Sequence, residues 1–269
     1  MTGISAWVPL SRRVAGVGPD TTVHDGLPPY LHGVLQDWVN DCYPDDRYGE
    51  WTRLRNILQY RLRIDDLPPP IKFTDEQLLD VIDALLAHWL EPGHLVNELN
   101  DLLTNGGAGW RINADQNGLE RRVEATVTTA VVTAVRTTTS DTADHLRIAW
   151  DAAYGRNPDP DKAYDEAVLA VEAIACPLIC PNNPRRTLGT VIADLSNQAA
   201  QWAMVISDSS GQPASPDRLI EMLKLLWQGQ SRHAGSPNSR RQTQAEAEAA
   251  VHLAATLVQW FSSGVLYRR

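Results

Sequence analysis

The sequence predicts a mostly α protein, helical bundles with one small β-hairpin, from three observations. Apolar residues recur at helical spacing along most of the chain. Helix-start signals bracket those stripes: two Thr-x-x-Gln/Glu capping boxes and two first-turn prolines, Pro29 and Pro216. One Asn-Gly pair, Asn117-Gly118, follows Trp110–Asn113 and precedes Leu119–Val123, two short runs of the kind that pair as strands.

Residues 1–28 read as irregular, with Gly16, Gly18, Pro19, Gly26 and Pro28 as breakers. A helix is expected from about Pro29, with Leu31, Val34, Leu35, Trp38 and Val39 as its stripe. A second covers about 49–63, where Trp51, Leu54, Ile57, Leu58 and Leu62 share a face ringed by Arg53, Arg55, Arg61 and Arg63. Pro68, Pro69 and Pro70 make a stiff connector. Thr74 and Gln77 form the first capping box, opening a helix to Trp89. Another, about 94–104, ends at Asn105-Gly106-Gly107. The hairpin follows, near 109–124, with Asn117-Gly118 expected to supply the positive φ of a tight turn. Residues 125–139 are rich in β-branched side chains, yet Val127, Val131, Ala134 and Val135 fit a helix stripe, and helix is the expectation.

From Asp141 the chain reads as plainly helical to Gly155. Asp161–Cys176 is the strongest helix, expected to stop at Pro177. Between Ala167 and Cys176 only Glu172 is charged, so this helix should be central, with Leu169, Val171 and Ile174 largely buried. A helix is expected over 187–195; residues 199–206 fit no single pattern. Ser215 and Pro216 read as N-cap and first-turn proline of a helix reaching Trp227. Thr243 and Glu246 form the second capping box, opening the last helix. The domain division read from these elements is 1–140, helical with the hairpin, and 141–269.

A chain of 269 residues with 43% hydrophobic and 21% charged residues has enough apolar surface for such cores. The net charge of −9 argues against a general nucleic-acid coat, so contact with RNA requires a local basic patch. No stretch has the length and apolarity of a membrane span, and Met1–Ser5 does not open a leader, so no membrane partner is expected. Three cysteines, Cys42, Cys176 and Cys180, make no disulfide framework, which points to a reducing cytoplasm. Cys176 and Cys180 read as small fillers at a helix end. No histidine, cysteine or carboxylate set has metal-ligand spacing, and no cofactor signature is present, so neither metal nor cofactor is expected.

The candidate chemistry lies on the Gly/Ser-rich connection that carries Arg232 and His233. Histidine titrates near neutrality and serves as acid or base; arginine forks onto phosphate oxygens. The same connection also reads as an ordinary polar loop. Arg185, Arg186, Arg240 and Arg241 stand just before helix starts, where cations and helix N-termini together attract phosphate. Glu172 is expected to pair structurally, to orient His233, or to emerge at the surface. His252 follows Glu248 by one helical turn and reads as its local partner.

Asp161–Ala173, Thr187–Ile192, Arg232-His233-Ala234-Gly235 and Ala245–Val258 together resemble the abortive-infection C-terminal domain family, over about residues 141–264. That resemblance implies an all-helical HEPN-like bundle, of bacterial or phage origin and tied to phage defence. It implies RNA as a target and metal-independent ribonuclease chemistry, with His233 as acid/base and Arg232 on phosphate. A homodimer is the implied assembly. Catalytic members of the wider superfamily carry an arginine a short spacing before the histidine; the matching positions here hold Gln228, Trp227 and Leu226. Gln228 replaces a polar contact there but not a charge. The other reading is a non-catalytic module for dimerisation or a protein partner.

Overall fold

The computed structural model describes residues 14–16, 23–24, 26–42, 53, 56–60, 73–230 and 240–269. It is mostly helical, and the chain divides into two compact units, Met1–Arg122 and Val123–Arg269.

The N-terminal unit holds α1 (Pro29–Asp41), α2 (Asp75–His88), α3 (His94–Asn105), β1 (Trp110–Ile112) and β2 (Leu119–Arg121). Residues 56–60 are also helical. The apolar stripes read from the sequence form the core: Leu31, Leu35, Trp38 and Val39 of α1 meet Leu78, Ile82 and Leu85 of α2 and Leu99 and Leu103 of α3. The capping box at α2 forms, with the Gln77 N–H donating to Thr74 Oγ1 (3.3 Å) and the Thr74 N–H to Gln77 Oε1 (3.0 Å). α3 ends in a Schellman motif. Gly107 takes φ +65°, the Ala108 N–H donates to Leu103 O (3.0 Å), and Ala108 and Leu103 are both fully buried.

β1 and β2 pair antiparallel, Trp110 opposite Arg121 and Ile112 opposite Leu119. The turn differs from the one expected. The positive φ falls on Gln116 (φ 58°), not on the Asn-Gly pair. Asn113 organises the loop instead: its Oδ1 accepts the Asn117 N–H (3.0 Å) and its main-chain O accepts the Gln116 N–H (3.1 Å). Gly118 is needed for closeness rather than handedness. An added Cβ would sit 3.0 Å from Asp83 Oδ1, which accepts the Leu119 N–H (2.6 Å).

The C-terminal unit holds α4 (Ala125–Arg136), α5 (Ser140–Tyr154), α6 (Pro160–Ile179), α7 (Leu188–Asn197), β3 (Trp202–Met204), α8 (Asp217–Gly229), α9 (Gln244–Ser262) and β4 (Leu266–Arg268). α4 is helical despite its β-branched content. Thr128, Thr133 and Thr137 turn their hydroxyls back onto carbonyls one turn earlier, and Val131 and Ala134 are buried. α4 packs in this unit, against α5 and α9.

α6 is the central helix, packed on α5, α7 and α9. Asp159 caps it by accepting the Lys162 N–H (3.1 Å), with Pro160 in the first turn. It runs past Pro177 to Ile179, contrary to the expected stop. A proline in the last turn removes one donor only, and the Cys180 N–H still donates to Cys176 O (3.0 Å). Val171 is buried and Ile174 partly so, but Leu169 is 39% exposed. Leu169 shares with Lys162 and Asp165 an outward stripe of α6, which the apolar run conceals.

α8 starts one residue later than expected, at Asp217, and Ser215 Oγ still accepts the Asp217 N–H (3.4 Å). The C-terminal unit has a two-stranded pairing of its own, β3 with β4, in addition to the single hairpin that the sequence predicts. It buries Trp202, Met204 and Leu266 at the rim of the bundle core. Among the described residues no helix is long and apolar enough to cross a membrane.

Candidate functional site

Arg232 and His233 lie outside the described residues. The two ends of their segment are described, and both are fastened to the start of α6. Gln230 Nε2 donates to Asp165 Oδ1 (2.6 Å). The Gln242 N–H donates to Asp161 Oδ1 (2.7 Å), and Gln242 Nε2 donates to Gly229 O (2.8 Å), joining the end of α8 to the approach to α9. Gln242 is 93% buried by this arrangement, the complement of its 7% exposure. The Tyr164 hydroxyl donates to Leu226 O (3.1 Å), and burial, then Glu246, pushes that phenol up, so it stays a donor. Glycine suits this position, because an added Cβ would meet the Tyr164 Oη at 2.1 Å and one of the two would have to move.

The four arginines expected on phosphate do not form one site. Arg240 forks onto Glu246, with its two terminal nitrogens 2.8 and 2.5 Å from the carboxylate oxygens. Glu246 is also the N3 residue of the capping box and accepts the Thr243 N–H (2.9 Å). The Arg240 bond, then Thr243, hold Glu246 down at about 2. Arg241 is exposed beside it. Arg185 and Arg186 are exposed on the loop between α6 and α7. The Arg185 N–H donates to Asn183 Oδ1 (2.9 Å), and Arg186 reaches Pro181 O (3.4 Å). Arg240 acts electrostatically on Tyr164, in the first half of α6, and Arg186 on Cys176, near its end.

Glu172 has a structural partner: its Oε1 accepts the Leu188 N–H (2.8 Å), at the first turn of α7. That N-terminus is further closed by Thr187 and Thr190, each accepting the other's main-chain N–H. An internal carboxylate therefore fills the place where helix-end phosphate binding was expected. Gln228 is exposed in the last turn of α8.

Sequence reasoning missed several polar pairs that span the bundle. His252 bonds Tyr154 while Glu248 acts on it through charge alone: its Nε2 is 2.7 Å from the Tyr154 hydroxyl, and the two rings stack. Burial raises the phenol and lowers the imidazole, so both groups stay uncharged at neutral pH. Glu248 instead accepts from Gln244 Nε2 (2.9 Å), which also donates to Ala153 O (2.6 Å). His145 Nδ1 lies 2.6 Å from Glu166 Oε2, joining α5 to α6. Cys176 and Cys180 are free and buried; burial, then Cys180, pushes the Cys176 thiol up to about 12, which fits a filler and not a nucleophile. Among the described residues no three potential ligands gather to hold a metal ion.

Comparison with protein-family models, with curated proteins and with solved structures finds no match to this chain.

Proposed function

We propose that the C-terminal bundle is an abortive-infection-type, HEPN-like module acting on RNA through the α8–α9 connection. One observation supports this reading above the others: Gln230 and Gln242 tie both ends of the Arg232–His233 segment to Asp165 and Asp161 on one short stretch of α6. A loop with fixed ends loses less conformational freedom when its side chains engage a ligand. Arg232 takes the phosphate and His233 moves the proton. The 2′-oxygen attacks phosphorus and the bond to the 5′-oxygen breaks. The proton leaving the 2′-hydroxyl is matched by one delivered to the 5′-oxygen. One imidazole cannot do both at once, and a two-fold dimer brings the second.

A non-catalytic module for dimerisation or a protein partner is the second reading. It is favoured by Arg240 and the start of α7, both of which are satisfied by carboxylates of the chain itself.

The test is incubation of the chain with single-stranded RNA, with and without EDTA, beside His233→Ala. The RNA reading expects cleavage that EDTA leaves alone and that His233→Ala slows on the order of a hundredfold. Equal rates in parent and variant, or loss of cleavage to EDTA, overturn it. No cleavage together with a light-scattering mass of twice 29.8 kDa favours the module.

A further inference from the structure

The last turn of α6 brings together two thiols that neither reading uses. Cys176 and Cys180 stand one helical turn apart, and the Cys180 N–H, donating to Cys176 O (3.0 Å), keeps that turn intact. Both are free, at 3% and 4% exposure. Besides burial, the charge of Cys180, the charge of Glu172 and a hydrogen bond to Cys180 act on the Cys176 thiol, so the two sulfurs face each other. The cover over them is thin, because Pro177, Leu178, Pro181 and Asn182 are all exposed.

Spacing decides what such a pair can do. Residues four apart on a helix hold their Cβ atoms about 5–6 Å apart. A disulfide needs about 3.5–4.5 Å, so this turn would have to distort to make one. A thiolate bonds a metal at about 2.3 Å, so two sulfurs on opposite sides of one ion stand about 4–5 Å apart, which the undistorted turn allows. Among the described residues no three histidine, cysteine or carboxylate groups gather to supply a third ligand. Thr190 Oγ1, 3.8 Å from Cys180 Sγ, is a neutral hydroxyl that donates to Thr187 O (2.7 Å). Two sulfurs alone do not suit zinc, which takes four ligands in a closed site. They suit a soft ion that is satisfied by two, and soft thiolates favour copper(I). Arg186 acts on Cys176 in the sense opposite to Glu172, and its charge offsets the negative charge that two thiolates leave around a monovalent ion.

We propose that Cys176 and Cys180 form a binding site for a soft monovalent metal ion of the copper(I) class, held between their sulfurs at the end of α6. Binding moves no electron. Two sulfur–metal bonds form, two S–H bonds break, and two protons go to solvent. Burial keeps water, the competing ligand, away from the ion.

The experiment offers the full chain copper(I) held by bicinchoninate, under argon with ascorbate, and follows the loss of the coloured complex as the protein takes the ion. The site predicts one ion per chain, held more tightly as pH rises, because two protons compete with it. Excess zinc should not displace it. Cys176→Ser and Cys180→Ser should each lose the ion at concentrations where the parent holds it, while Cys42→Ser, in the other unit, should keep it. Should the variants at 176 and 180 not fold, X-ray absorption of the copper bound to the parent decides, and two sulfur neighbours without nitrogen support the site. No transfer, retention of the ion by the folded serine variants, or a shell containing nitrogen overturns the proposal. So does a chain found two hydrogens lighter with no metal bound, because the thiols would then pair with each other. None of these outcomes bears on His233.

Discussion

Gly229→Ala is the substitution whose cost the structure specifies most closely. The new Cβ would lie 2.1 Å from the Tyr164 Oη, far inside contact distance, and 3.1 Å from its Cζ, which a shift of a few tenths of an ångström relieves. Tyr164 is 6% exposed and its hydroxyl is held by Leu226 O, so it has no open space to retreat into. Either the hydroxyl gives up that bond, costing about 1–3 kcal/mol, or the backbone moves and strains the neighbouring Gln242–Gly229 bond. Overpacking adds about 1–3 kcal/mol, and the better helix propensity of alanine returns about 0.5–1 kcal/mol. The net expectation is a loss of about 1–5 kcal/mol, read from urea unfolding midpoints at constant slope. The control is the cycle with Tyr164→Phe, which costs about 1–2 kcal/mol alone through the lost hydrogen bond. In that background the clashing oxygen is gone, and Gly229→Ala should fall to under about 1 kcal/mol. A Gly229→Ala protein as stable as its parent, or an equal cost in both backgrounds, would refute the reasoning.

Two further perturbations test the bundle. Glu172→Ala removes the acceptor of the Leu188 N–H and should cost about 1–3 kcal/mol in urea unfolding, with Glu172→Gln retaining most of the stability. A cost in Glu172→Ala no greater than about 0.5 kcal/mol would show that water replaces the carboxylate. His252 is depressed from 6.5 by burial, so the unfolded chain binds its proton more readily than the folded one. Its contribution is complete above about pH 6.5 and is lost as pH falls from there through the lower folded value. Stability measured from pH 7.5 down to 5 should therefore drop more steeply in the parent than in His252→Gln; parallel curves would remove the assignment.

The helices were legible because their signals are local. Stripes such as Leu31, Leu35 and Trp38, and the boxes Thr74–Gln77 and Thr243–Glu246, lie within a few turns of each other. The capping box at Thr187 escaped notice because Thr190 stands where the pattern asks for Glu or Gln, and a hydroxyl does the same work. The pairing of β3 with β4 joins residues on either side of α8 and α9, so no turn announces it. Helical spacing gave His252 the charge of Glu248, but its hydrogen-bond partner is Tyr154, which only the packing of α5 on α9 brings near. Arg185, Arg186, Arg240 and Arg241 looked equivalent in sequence. The length of α6 separates them into two groups, and the Glu246 partner of Arg240 sits beyond the loop, outside any helical spacing.

The most direct test of where the chemistry sits is a map of RNA–protein crosslinks. The chain is irradiated with single-stranded RNA, digested, and the adducted peptides are identified by mass. The account predicts adducts within residues 228–243, which carry Gln228, Arg232, His233, Arg240 and Arg241, and their loss in a Gln242→Ala protein that still folds. Adducts confined to residues 181–187, or their absence from 228–243, would contradict it.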